Sequence, residues 1–262
     1  MDKNPAMQYK IEIENKRGEK LVGVLHESGS NEIVVVCHGF RCTKEQPIIR
    51  SISMALEDAG ISVFRFDFTG NGDSQGLFQF GYYREVEDIR TVTQYFGTKN
   101  RAILAILGHS KGANVVLIYA SKYHDVAAVV NVSGRYHLDR GLDKLLGADF
   151  EEQIKKHGYI DIGDGETRGV KRVTKESLME RLNVKMHEVC LSIDKSCRVF
   201  TIHGSRDKVV KLDDAKEFDK IIPNHMLHII KGANHGYTEH QGELASTIVL
   251  YMQELLSAAT QR

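Results

Sequence analysis

Residues 102–120, AILAILGHSKGANVVLIYA, pass from one apolar run to another through a serine set between two glycines. Ile103–Leu107 is short, aliphatic and without alternation, the pattern of a central strand buried on both faces. Lys111–Lys122 reads as a helix. Gly108 and Gly112 then mark a turn too tight for side chains. Ser110 sits at its apex, over a helix end whose free N–H groups and dipole favour negative charge. G-x-S-x-G between a strand and a helix is the setting of a serine nucleophile. Such a serine needs a base to take its proton; without one, it would be an ordinary small residue ahead of a helix.

Outward from this segment, strand and helix patterns alternate. Gln8–Glu14 and Lys20–His26 alternate around Asn15-Lys16-Arg17-Gly18 and read as a hairpin. Strands are predicted at Ile33–Cys37, Ile61–Phe66, Ala102–Leu107, Val126–Val132, Arg198–His203 and Met226–Ile230. Helices are predicted at Pro47–Ala59, Tyr83–Phe96, Lys111–Lys122, Lys211–Ile221 and Gly242–Leu256. The rhythm implies an α/β fold, with a mostly parallel central sheet, an N-terminal antiparallel hairpin and helices on both faces. Residues 135–195 interrupt it with polar sequence, a turn at Asp161-Ile162-Gly163-Asp164-Gly165 and a helix-like Lys175–Val189. They are too many for a plain loop and too few for an independent domain. A small cap insertion is expected there, on a core formed by residues 1–134 and 196–262.

Thirty-five basic residues balance 35 acidic ones, with no long charge run. Composition therefore gives no support to a nucleic-acid or anionic-membrane partner and suits a small-molecule substrate. Cys37, Cys42, Cys190 and Cys197 form no C-x-x-C pair and no metal-ligand spacing. Cys37 and Cys197 lie in or beside strand patterns and are expected to act as small hydrophobes. The start MDKNPAMQYK lacks an apolar signal core, and no run approaches a membrane span. A cytoplasmic protein is expected; oligomeric state has no signature in the chain.

In an open parallel sheet, ligands gather at the carboxyl ends of the strands, and three more groups directly follow strands. His235 lies on the glycine-flanked loop Lys231-Gly232-Ala233-Asn234-His235-Gly236 and can take and return a proton near neutrality. His203, His225, His228 and His240 belong to strand or helix patterns and read as ordinary. Asp207, after Arg198–His203, would fix the imidazole tautomer or cap the next helix. Asp213, Asp214 and Asp219 fall on that helix and are expected to be solvated. His38-Gly39-Phe40 follows Ile33–Cys37, and the backbone N–H groups of Phe40 and Lys111 are the natural pair to hold a developing oxyanion. The glycine-rich Asp67–Gly76 runs G-x-G-x-x-x-G, not the dinucleotide fingerprint, and reads as a tight turn.

Taken together, HGF, DFTGNGDSQG, GHSKG, HGSRD and GANH resemble the α/β-hydrolase superfamily over nearly the whole chain. Within it the chain is similar to small serine esterases of the cinnamoyl/feruloyl-esterase type, which also carry an HGF oxyanion loop, a GHS elbow and a compact cap. The resemblance implies Ser110 as nucleophile, His235 as base, Asp207 as its orienting acid and the N–H groups of Phe40 and Lys111 as oxyanion hole. It implies carboxylic esters of small, hydroxycinnamoyl-like acyl groups, an acyl-enzyme on Ser110, and no metal or organic cofactor. Lys111 stands where those esterases usually have Gln, and Ala113 where they have a second Gly. The Lys111 side chain is expected to point to solvent rather than to select acidic acyl groups. In the cap, Tyr136, His137, Asp139 and Tyr159 are expected to meet a phenolic acyl group.

Two other readings use the same residues. One is a receptor-like ligand binder, because some plant hormone receptors share this fold; slow or single turnover would mark it. The other turns the same triad to thioesters, peptides, acyl transfer or lyase chemistry, since a fold does not settle chemistry. An aspartate-nucleophile dehalogenase is disfavoured by Ser110 itself, and a peptidase by the absence of the extra N-terminal domain that many serine oligopeptidases carry.

Overall fold

Alternating segments at the N-terminus become Met7–Glu14 (β1) and Lys20–Glu27 (β2), paired antiparallel from Met7↔Glu27 to Glu14↔Lys20. The aliphatic runs then give Glu32–Cys37 (β3), Ser62–Phe66 (β4), Ala102–His109 (β5) and Ala128–Val132 (β6). Between them lie the helices Pro47–Asp58 (α1), Tyr83–Thr98 (α2) and Lys111–Tyr123 (α3). An insertion follows, made of Leu142–Leu146 (α4), Phe150–His157 (α5), Tyr159–Ile162 (β7), Lys171–Thr174 (β8), Lys175–Asn183 (α6) and Met186–Leu191 (α7). The chain returns through Arg198–Gly204 (β9), Leu212–Ile221 (α8), His225–Ile230 (β10) and Gln241–Thr260 (α9). This computed structural model describes residues 7–163 and 169–260. The first six residues, and Asp164 and Gly165 of the expected turn, lie outside them.

Eight strands form one sheet in the order β1-β2-β4-β3-β5-β6-β9-β10. β2 pairs antiparallel with β4, and every later pair is parallel. The mostly parallel α/β fold with an N-terminal antiparallel hairpin, expected from the sequence, is the fold of the chain. Strand β3 shows why both faces need helices. Val35 packs with Val86, Val115 and Phe218 of α2, α3 and α8, whereas Val34 and Val36 pack with Ile52 and Ile248 of α1 and α9. Burying one such side chain contributes about 1.5–3 kcal/mol.

The insertion has a smaller core of its own. Leu142, Leu146, Ile154, Ile162, Val173 and Leu178 gather around Phe80, with Phe40 and Phe78 packed against them. The single helix expected over Lys175–Val189 is two. Val184 and Lys185 adopt extended backbone, with ψ of 117° and 98°. Leu178 serves the insertion's core while Val184, Met186 and Cys190 serve the main one, and one straight helix cannot face both. The short α4 and α5 and the β7–β8 hairpin went unforeseen because helices of eight residues or fewer and strands of four show too little periodicity.

Two further differences touch the functional end of the sheet. β5 runs past Leu107, because Gly108 still pairs with Cys37 and Asn131. Asp214, expected to be solvated, is buried on the inward face of α8 beside Ala215 and Phe218. Its Oδ1 accepts the N–H groups of Tyr136 (2.7 Å) and His137 (3.0 Å), tying α8 to the chain as it leaves β6. None of the four cysteines forms a disulfide, and Cys37, Cys190 and Cys197 are buried. No helix among the described residues is long and apolar enough to cross a membrane.

Candidate active site

The turn after β5 is forced by its neighbours. A Cβ on Gly108 would fall 2.2 Å from the Gly112 carbonyl, and one on Gly112 would fall 2.5 Å from the His38 carbonyl oxygen. Only glycine lets α3 start this close to β5 and β3. Ser110 between them has φ 57° and ψ −117°, a conformation costing about 1–3 kcal/mol. Hydrogen bonds hold it there: Ser110 N–H donates to Val132 O (2.8 Å), and Ala113 N–H donates to Ser110 O (3.0 Å).

Three segments meet at this serine. His235 Nε2 lies 2.9 Å from Ser110 Oγ, and His235 Nδ1 lies 2.7 Å from Asp207 Oδ2. An ionised carboxylate only accepts, so Nδ1 carries the proton and Nε2 is left to accept from the Ser110 hydroxyl. The other Asp207 oxygen accepts the N–H groups of Val209 and Val210, each at 2.8 Å. One carboxylate thus touches both the imidazole and the turn ahead of α8. Burial alone would raise the Asp207 carboxyl. The His235 hydrogen bond and charge, with the Val210 N–H, outweigh it and hold the group below its ordinary range.

The structure also supplies supports that the sequence reading passed over. His109, inside the GHSKG motif, donates Nε2–H to the His235 carbonyl at 2.9 Å and accepts from Gln46 Nε2 at 3.4 Å. Burial, with the neighbouring His235, pushes the His109 imidazole down to about 3, so it is a fixed neutral donor. His203, buried behind Asp207, donates Nε2–H to Val210 O at 3.0 Å. His38 donates Nδ1–H to Gly39 O (2.8 Å) and accepts Phe68 N–H (3.1 Å); burial pushes it down to about 4. His38 and His109 stand inside the HGF and GHSKG motifs, and all three lie at the carboxyl ends of strands, which was the available signal. Behind the loop, Asp67 is buried and accepts Lys44 N–H and Nζ, both at 2.6 Å, and Asp73 N–H at 2.9 Å. The glycine-rich stretch therefore closes on a carboxylate of its own.

His38 fixes the loop that carries Gly39 and Phe40 against the serine; a Cβ on Gly39 would lie 3.2 Å from Ser110 Cβ. Among the described residues, neither the Phe40 N–H nor the Lys111 N–H donates to an acceptor within the chain. The Lys111 side chain corrects an expectation. It does not point to solvent: the residue is 5% exposed, and Nζ donates to Glu85 Oε1 (2.7 Å) and Gln79 O (3.0 Å) near the rings of Phe78 and Tyr82. As the first residue of α3, Lys111 faces α2, where Glu85 supplies the counter-charge. Burial pushes the Lys111 ammonium down despite Glu85, and pushes the Glu85 carboxyl up to about 7 despite Lys111.

The four expected cap contacts lie apart. Tyr136 packs its ring on Phe218 at 5.3 Å and bonds His187 Nδ1 through its hydroxyl at 2.8 Å, and the His137 ring sits 5.1 Å from it. Asp139 lines a cavity of about 570 Å3 with Leu142, Phe150 and Leu178. Tyr159 stacks under the Arg172 guanidinium at 3.8 Å. No hydrogen bond or ring contact among the described residues joins these four to Ser110, Asp207 or His235. The rings beside Phe40 are those of Phe78 and Phe80, at 5.8 and 5.4 Å. Among the described residues, no group of three or more His, Cys, Asp or Glu is placed to hold a metal.

Comparison with known proteins agrees with this architecture. The model of a family described as Hydrolase_4, serine aminopeptidase S33, matches residues 29–157, which carry Phe40 and Ser110 but end before Asp207 and His235. The ferulic-acid-bound Est1E of Butyrivibrio proteoclasticus superposes with a TM-score of 0.82 at 21% identity, over 94% of this chain and 99% of that one. The esterase Pf2001 of Pyrococcus furiosus superposes with a TM-score of 0.74 at 21% identity, over 95% of this chain and 93% of that one. In sequence, an uncharacterized protein of Saccharomyces cerevisiae is 23% identical over 81% of this chain and 71% of its own length. The fold is that of the α/β-hydrolases.

Proposed function

We propose that this chain of α/β-hydrolase fold is a serine hydrolase that cleaves carboxylic esters through an acyl-enzyme on Ser110. The observation that carries the reading is the continuous hydrogen-bonded line from Ser110 Oγ through His235 to Asp207, at 2.9 and 2.7 Å. Ser110 attacks the ester carbonyl while His235 Nε2 takes its proton. Asp207, kept ionised, stabilises the imidazolium as it forms. The oxyanion settles against the free N–H groups of Phe40 and Lys111. Collapse of the tetrahedral species breaks the bond to the alcohol, which leaves with the proton from His235. Water then enters, gives its proton to His235 and attacks the acyl carbonyl, releasing the acid and restoring Ser110.

The acyl group we favour is small and aromatic. Supporting this are the phenylalanine rings around Phe40 and the ferulic acid in the structurally similar Est1E. The family description, serine aminopeptidase, favours a second reading in which the same triad cleaves an amide.

The test is hydrolysis of p-nitrophenyl butyrate, methyl ferulate and an aminoacyl p-nitroanilide by the wild type and Ser110→Ala. A fluorophosphonate probe is located in parallel by mass spectrometry. The expected result is turnover of the esters, label on Ser110, and a fall of several powers of ten in the variant. Equal rates in both proteins with Ser110 unlabelled would sink the proposal. Faster cleavage of the anilide than of the esters would select the amide reading.

A further inference from the structure

Beyond the oxyanion loop, residues 41–47, the Asn71–Gly72 turn and the start of β8 enclose a cavity of about 490 Å3. Two cations line it, Arg41 and Lys171. Among the described residues, Arg41 has no carboxylate partner, and its Nε is buried without any hydrogen bond. Lys171 Nζ donates to a backbone oxygen, Gly70 O at 2.7 Å, and among the described residues to no carboxylate. Burial and then the charge of Arg41 push the Lys171 ammonium down, and no acid pulls it back. The one carboxylate on the wall, Glu45, is already held by Arg65 at 2.7 Å. Among the described residues, two like charges therefore face one cavity with no carboxylate paired to either, an arrangement that costs free energy until an anion enters.

The cavity adjoins the candidate active site through two links. Arg41 is the residue after Phe40, so its backbone continues the oxyanion loop. Gln46, on the cavity wall, donates to His109, which in turn holds the His235 carbonyl.

We propose that this cavity binds a carboxylate or phosphate group of the substrate, so that the preferred esters carry an anion at one end. The Arg41 guanidinium supplies a planar pair of donors for two oxygens of that group. Lys171, on a separate element, supplies a second charge. This inference rests on the serine-hydrolase reading, so its test includes a measurement that needs no turnover.

The kinetic arm compares mono-p-nitrophenyl glutarate with the uncharged p-nitrophenyl valerate. The wild type should show a kcat/KM at least about tenfold higher for the anionic ester, and Arg41→Gln and Lys171→Gln should each reduce that ratio by about tenfold. Arg41→Lys should retain part of it. The binding arm titrates Ser110→Ala with glutarate and with inorganic phosphate in a calorimeter; the tighter of the two identifies the anion. Binding that vanishes when Arg41→Gln and Lys171→Gln are added supports the cavity, even if no ester is hydrolysed and the serine-hydrolase reading has failed. Hydrolysis of both esters at equal kcat/KM overturns the proposal and leaves the serine-hydrolase reading intact. Absence of calorimetric binding by either anion, with no preference for the glutarate ester, overturns it as well.

Discussion

The turn at Gly108–Gly112 and the insertion at residues 135–195 are built on opposite terms. In the turn, every atom is hemmed in: a Cβ on either glycine would collide with backbone, and Ser110 is held at φ 57° by bonds to β6 and α3. In the insertion, Gly158 also has a positive φ, 77°, but a Cβ there would meet nothing within 4 Å. One region stores strain because the packed sheet around it determines its shape. The other turns at Gly158 in open space, beside a small core of its own. The contrast teaches what the first can do and the second cannot: holding a strained hydroxyl against an imidazole requires surroundings that cannot relax.

The largest expected effect lies at the triad. Asp207→Asn should lower kcat on any accepted ester by about four powers of ten, with the fold unchanged by circular dichroism. The matching change in the insertion, Tyr159→Phe, should leave kcat within about threefold and stability within about 0.5 kcal/mol. A comparable loss at Tyr159 would erase the contrast. Next comes the buried pair of Lys111 and Glu85. Lys111→Met leaves Glu85 alone in the interior and should cost about 3–5 kcal/mol in urea unfolding. Adding Glu85→Leu should restore most of it; a double variant as unstable as the single one would show that the pair is not what matters there.

Acid should weaken the active-site end of the sheet first. His38 is a base whose imidazole is lowered from 6.5 to about 4 by burial. The unfolded chain therefore takes the proton first, so this stability is complete above pH 6.5 and lost as pH falls toward 4. The loss should reach roughly 3 kcal/mol, and His38→Gln should flatten that limb of the stability–pH curve. A curve unchanged by the substitution would place the acid sensitivity elsewhere. The smallest effects come from alanine at the two glycines. Gly112→Ala should cost about 3 kcal/mol from steric clash, and Gly158→Ala about 1 kcal/mol from its backbone angle alone. Equal Tm shifts would remove the distinction between a packed and an open turn.

Much of the candidate site was legible because each of its parts follows a strand within five residues. Ser110, Asp207 and His235 stand in short loops whose glycines and chain order can be read locally, and the parallel sheet brings those loops to one edge. The insertion was harder to read. Its elements are short, its apolar residues serve two cores, and α6 gives way to α7 where they change allegiance. Tyr136 and Tyr159 drew attention by residue type, yet one packs on α8 and the other under Arg172. Asp214 was missed because its helix carries four carboxylates, and nothing local says which one faces inward.

The sequence by itself determined the α/β alternation, the tight serine turn and the three residues that meet there, because strand burial, glycine spacing and post-strand loops are local properties. Only the tertiary structure decided the fate of the charges. Lys111 turned inward to Glu85, 26 residues away, and Arg41 came to share a cavity with Lys171, with no carboxylate on either among the described residues. A charge is stable only beside its partner or in water, and which of the two it finds depends on chain packed against it from distant positions.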